Sequence, residues 1–127
     1  MDPIASLILT LFHAGTAAHV LHLQAVGPGS FARHSALNDF YHDVIDAADE
    51  IAECWQGKYG IITPYAEGYA NPGQNGTPSD ALDFLKSLNA FVAETRKDVV
   101  QDSEIQNLID EVVALIDRTI YKVERLQ

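Results

Sequence analysis

The chain has one cysteine, one methionine and one tryptophan in 127 residues, and only eight Lys and Arg against eighteen Asp and Glu. A lone thiol, Cys54, excludes an internal disulfide and any zinc site built on paired cysteines, and fits a reducing, cytoplasmic setting. A formal charge of −10 with no basic cluster leaves no surface for neutralising phosphates, so direct nucleic-acid binding is not expected. An acidic surface instead suits the attraction of metal cations. No Glu-x-x-His occurs anywhere, which removes the signature of a di-iron site inside a single four-helix bundle. Nor is there a phosphate-binding Gly-rich loop, a Ser/His/Asp arrangement, an internal repeat or any sustained strand-period alternation. The apolar run Ile4 to Leu11 follows no basic region and is interrupted by His13 and Gly15, so it reads as a core helix rather than a signal peptide or membrane span.

What is present points to a single all-α domain over residues 1–127, with 47% apolar and 20% charged residues. Four helices are expected, at about 3–25, 31–56, 78–98 and 103–126. Asp2 before Pro3 is an N-cap followed by a first-turn proline, and Ile4, Ile8, Leu11, Ala18 and Leu21 then recur at helical spacing. Gly27-Pro28-Gly29 breaks that helix and Ser30 is placed to cap the next, whose apolar side takes Phe31, Leu37, Phe40, Val44, Ile51 and Trp55. Gly57 is the expected stop. The stretch 57–77, rich in Gly, Pro and Asn, reads as a long connection with a short helix near Tyr65-Ala66-Glu67. Thr77 then caps the third helix with Pro78 at its first position. Leu82, Leu85, Leu88, Phe91 and Val92 mark its core side, with Val99 beyond, and Ile105, Leu108, Ile109, Val112, Ile116, Ile120 and Val123 form the fourth stripe. A long link between the second and third helices is the plan of ferritin-like bundles.

Five side chains carry most of the chemical information: His22, His34, Asn38, Asp49 and Glu53. The two histidines flank the Gly-Pro-Gly turn, and the two carboxylates stand one helical turn apart. Two imidazoles with two carboxylates are a ligand set suited to redox-active iron. On one helix, however, His34 and Asp49 lie roughly 22 Å apart at about 1.5 Å per residue. Either the four are unrelated, or an antiparallel second copy across a two-fold axis brings the His end of one helix against the Asp/Glu end of the other. Read separately, the histidines are ordinary polar residues beside a turn, and Asp49 and Glu53 belong to a solvated acidic face with Asp46 and Glu50. His19, one turn before His22, is a candidate hydrogen-bond donor to a metal ligand, or an accessory ligand.

The run His22-Leu23-Gln24-Ala25-Val26-Gly27-Pro28-Gly29-Ser30-Phe31-Ala32-Arg33-His34, continued by Asn38-Asp39 and Asp49-Glu50-Ile51-Ala52-Glu53, resembles the Dps (DNA-binding protein from starved cells) mini-ferritins. Their pattern is His-Trp-x-x-x-Gly-x-x-Phe-x-x-x-His-x-x-x-Asp, then Asp-x-x-x-Glu on the same helix, and the resemblance covers about residues 19 to 56. It implies a ferritin-like four-helix bundle, two-fold dimers sharing metal sites, and their assembly into a dodecameric shell. His22 and His34 of one subunit would bind iron with Asp49 and Glu53 of the other, Glu53 as the bridging carboxylate. Zn2+ or Mn2+ would suit the same ligands. Three departures stand out. Leu23 replaces the family's Trp, Ser30 holds its Phe position with Phe31 one residue late, and Asn38 replaces its Asp. Asp39 is next door but about 100° around the helix. Asn brings an oxygen donor without charge, so the second iron position is expected to be the weaker.

The expected function is therefore an iron-sequestering ferroxidase that uses peroxide or oxygen, protects against free iron and does not coat DNA. The alternative is a ferritin-like helical protein without catalytic activity, acting as a structural or interaction module.

Overall fold

A computed structural model describes residues 2–65 and 78–126. It contains four helices, α1 (Pro3–Gln24), α2 (Ser30–Tyr59), α3 (Pro78–Thr95) and α4 (Ser103–Arg125), and no strand among the described residues. Helix α1 packs on α2, α2 on α4, α4 on α3 and α3 on α1, a ring that leaves α2 and α3 as diagonal partners. Its centre is apolar: Leu7 and Leu11 of α1, Phe40 and Ile51 of α2, Leu85 of α3 and Ile109 of α4 are all fully buried. Helix α1 is long and apolar enough to cross a membrane by length and composition, and half of its residues are buried inside the bundle.

Local chemistry explains the helix starts and stops. Asp2 accepts a hydrogen bond from the Ile4 N–H at 3.2 Å and Pro3 occupies the first turn, as the sequence suggests. Helix α2 does not stop at Gly57. It runs three residues further than expected, to Tyr59, because the backbone that leaves the helix is Gly60, with φ +97°. Ser30 is the first helical residue rather than the cap. The cap is Gly29, left-handed at φ +74° and without a side-chain hydrogen bond. Helix α3 ends at Thr95 instead of 98, and the chain continues in hydrogen-bonded turns through Asp98 to the buried Val99. Phe31 is also misplaced by the sequence reading. It is 83% exposed and contributes nothing to the core. The Thr77 cap and residues 66 and 67 of the expected short helix lie outside the described residues.

The contacts at the helix ends set the directions. At the end of α2, Lys58 Nζ pairs with Asp102 Oδ2 at 2.6 Å and the Tyr59 hydroxyl donates to the same oxygen at 2.6 Å, just before α4. At the other end, Gly29–Ala32 share a shallow depression with Arg125 and Leu126. Helices α2 and α4 are therefore antiparallel. Helices α3 and α4 are antiparallel too, joined by Arg96 to Asp110 at 2.7 Å and Asn89 to Asp117 at 3.2 Å. With α1 and α2 reversed by the tight turn, the diagonal pair α2 and α3 run in the same direction.

The hydrogen bond from Lys58, then that from Tyr59, holds the Asp102 carboxyl below its ordinary value of 3.8. A carboxyl lowered in the folded state stabilises the fold above its unfolded pKa, and that contribution disappears as pH falls through the folded value. Asp102→Asn is therefore expected to lower the urea midpoint at pH 7 and to lower it by less at about pH 2, well below the carboxyl's ordinary range. Equal differences between the two proteins at both pH values would show that the clamp does not titrate.

Helices α1 and α2 pack closely at Gly15. A Cβ there would lie 2.6 Å from Ile45 Cδ1 and 2.9 Å from Cγ1. Alanine at a helix interior gains about 1 kcal/mol of intrinsic propensity over glycine, whereas overpacking costs about 1–3 kcal/mol. Since two atoms of a β-branched side chain must move, Gly15→Ala is expected to destabilise. In an Ile45→Ala background the same change should stabilise. A double-mutant cycle by urea unfolding measures this sign reversal, and two additive effects would contradict it.

Candidate metal-binding site

The α1–α2 turn brings His22 and His34 together. Gly27 and Gly29 take positive φ angles of +85° and +74°, and the Ser30 N–H closes the turn on Gly27 O at 3.0 Å. Beneath it lies Arg33, fully buried, donating to Pro28 O at 2.9 Å and Val26 O at 2.5 Å. Its Nε has no hydrogen-bond partner among the described residues. A guanidinium thus fastens the turn to the first coil of α2, immediately before His34.

The two imidazoles hold each other's backbone. His22 Nδ1 lies 2.7 Å from His34 O, and His34 Nδ1 lies 3.0 Å from His22 O. A carbonyl oxygen can only accept, so each Nδ1 carries the hydrogen, and each neutral ring keeps its lone pair on Nε2. This Nδ1–H to carbonyl bond is the usual support of a metal-ligating histidine. The rings stack with centroids 3.6 Å apart and planes tilted by 24°. Lone pairs lie in the ring planes, and planes so nearly parallel do not converge within a metal–nitrogen bond of about 2.1 Å. In this arrangement each imidazole would serve its own ion. His22 is buried and His34 exposed, so the pair reaches from the bundle to solvent.

Further aromatic rings surround the pair. His19 stacks on Tyr41 at 4.1 Å and stands 5.9 Å from His22, and Tyr41 meets the His22 ring edge-on at 5.5 Å. His42 stacks on Tyr41 at 4.3 Å, its Nδ1 donating to Asn38 O at 2.8 Å. His19 is thus a neighbour of the pair. Asn38 uses its backbone oxygen for His42.

The carboxylates are elsewhere. Asp49 and Glu53 are exposed on the same unbroken α2, so the roughly 22 Å that helical rise puts between His34 and Asp49 applies within one chain. Among the described residues, no group of three or more His, Cys, Asp or Glu side chains stands close enough to hold a metal ion. At 100° per residue, Phe31, Asn38, His42, Asp49 and Glu53 nevertheless fall within about 60° of one another around α2, on the side away from Phe40, Val44 and Ile51. His34 borders this stripe on the α1 side. Asp39 is exposed but turned off the stripe.

Two residues of this region were missed from sequence. Arg33 reads as a surface charge, and the one hint of its role is its position just after a Gly-Pro-Gly turn. Tyr41 carries no local signal for its stack on His19, which comes from another helix.

No curated protein and no solved structure matches the chain. Residues 22–123 match a group described as "Family of unknown function (DUF5856)", a span that opens on His22 and runs nearly to the end of α4. The chain belongs to this family of unknown function.

Proposed function

We propose that the protein is a Dps-like, ferritin-like iron-sequestering ferroxidase, taking Fe(II) as substrate at sites shared between two copies. The observation that carries this reading is the His22–His34 pair, with both Nδ1 hydrogens committed to backbone carbonyls and both Nε2 atoms left as ligands. Asp49 and Glu53, beyond reach in the same chain, would come from the partner and supply the anionic oxygens that iron prefers beside imidazole. Because each ring would serve its own ion, two irons would lie side by side. Two Fe(II) would give one electron each to a peroxide, which takes up two protons and leaves as two waters. Asn38 would make one position weaker, since it supplies no charge.

The fold supports the same reading. Diagonal helices α2 and α3 run in one direction, as the second and third helices of a ferritin-like bundle do. Two-fold dimers would be the unit from which a closed shell is built, with the acidic exterior drawing in cations rather than DNA. A second reading, a helical interaction module without metal chemistry, is favoured by the exposed apolar corner of Leu23, Val26 and Phe31.

An anaerobic Fe(II) titration followed by peroxide separates the two. Stoichiometric binding, rapid growth of ferric absorbance and iron that stays soluble on the protein support the ferroxidase. Binding no stronger than to a denatured control refutes it and leaves the interaction module.

A further inference from the structure

The outward stripe of α2 carries one imidazole that the shared iron sites leave unused. His42 is exposed, and its Nδ1 lies 2.8 Å from Asn38 O. The carbonyl can only accept, so Nδ1 carries the hydrogen and Nε2 keeps a lone pair. With Nδ1 turned to the backbone of its own helix, Nε2 on the far side of the ring points away from that helix. Tyr41 covers one ring face at 4.3 Å and itself rests on His19 of α1 at 4.1 Å. The imidazole is thus supported, by the bond and by the stack, before any ligand arrives. Asp46 stands four residues further on, about 40° around the helix, where side chains are neighbours. It is exposed and forms no ion pair among the described residues.

The shared-site reading sets where a two-fold axis crosses α2. The midpoint of residues 34 and 49 is 41.5 and that of 34 and 53 is 43.5, so the axis lies at the level of His42 and Asp43. Of these two only His42 lies on the stripe with Asp49 and Glu53, Asp43 being about 100° around from it. We infer that His42 and Asp46, with the same two residues of an antiparallel second copy, form a metal site on that axis, separate from the two iron sites. The inference takes its register from the shared-site reading and adds one structural ion per dimer to it. Two ligands from one chain are too few, in keeping with the absence of any three-ligand group among the described residues. The axis makes them four. Two imidazole nitrogens and two carboxylate oxygens are a closed tetrahedral set for a divalent cation such as Zn(II), with no position open to a substrate. Charge favours such an ion. Helix α2 carries six carboxylates from Asp39 to Glu53, and an antiparallel contact brings two such sets together.

The test uses the full chain carrying His34→Ala and Glu53→Ala, which takes a ligand from each half of the iron site, and Co(II) as the probe. Four-coordinate Co(II) absorbs far more strongly in the visible than the aqueous ion, and Zn(II) should displace it. Titration should end at one Co(II) per two chains, and sedimentation should find dimer association tightened at least about tenfold by the ion. Adding His42→Ala or Asp46→Asn should abolish the absorbance with unchanged helical circular dichroism, because both positions are exposed. An end point of one ion per chain, no visible absorbance, or absorbance that survives His42→Ala overturns the inference. Iron oxidation by the unsubstituted chain reports separately. Co(II) bound at half stoichiometry by a protein that oxidises no iron keeps the axial ion and removes the ferroxidase. Rapid iron oxidation without the Co(II) absorbance keeps the ferroxidase and removes the axial ion.

Discussion

His34→Ala and Glu53→Ala are each expected to slow peroxide-dependent Fe(II) oxidation by at least about tenfold while leaving the bundle intact. Both side chains are exposed, and alanine is the best helix former, so stability should stay within about 0.5 kcal/mol. His34→Ala is a clean deletion for a further reason. The His22 Nδ1 hydrogen bond ends on the main-chain oxygen of residue 34, which every variant keeps. His22 therefore retains its tautomer and its support, and what is lost is one ligand, one stacked ring and the His34 Nδ1 hydrogen bond to His22 O. Glu53 touches nothing in the histidine pair of its own chain, so an effect of Glu53→Ala on oxidation has to pass through another subunit. Stopped-flow ferric absorbance measures both, with circular dichroism as the control on folding. Wild-type rates in both variants would refute the assignment.

Arg33→Ala is expected to be the most damaging single change near the site, costing about 3 kcal/mol in urea unfolding. The guanidinium is fully buried, donates to Val26 O and Pro28 O, and supports the two positive-φ glycines of the turn. Truncation leaves a cavity under the turn and frees both carbonyls. Arg33→Met discriminates packing from polar support. Methionine refills most of the volume and removes a buried charge that forms no ion pair among the described residues, and such replacements are often neutral in stability. Methionine cannot donate to the turn, however. The reciprocal His22–His34 bonds should loosen even where stability recovers, visible as loss of the protected Nδ1–H proton resonances. A change below about 0.5 kcal/mol for Arg33→Ala would show that the turn holds itself.

Most of the fold was legible in the sequence. Helical periodicity identified all four helices, because each has a continuous apolar side against a single core. Helix ends were harder. Gly57 and Gly60 look alike as letters, yet Gly57 sits inside the helix and Gly60 adopts the positive φ that ends it. Phe31 reads as an inward residue because apolar residues are usually buried. One residue into α2 it points away from the core, and the turn offers nothing to cover it. At the candidate site, the closeness of His22 and His34 follows from their spacing around a tight turn. The separation of Asp49 and Glu53 follows from helical rise alone. Arg33 and Tyr41 were not legible, since a buried charge and a cross-helix stack depend on tertiary contacts that leave no periodic trace.

Mixing inactive subunits tests the shared site most directly. A dimer of one His34→Ala chain and one Glu53→Ala chain places both lesions in one site and leaves the other with His22, His34, Asp49 and Glu53 all intact. Co-refolding equal amounts should give heterodimers as about half of all dimers, and hence roughly a quarter of wild-type sites. The account predicts that rapid Fe(II) oxidation, absent from each variant alone, returns to about that level in the mixture. A mixture in which mixed dimers form and yet stay as inactive as its components would contradict a site built between two chains.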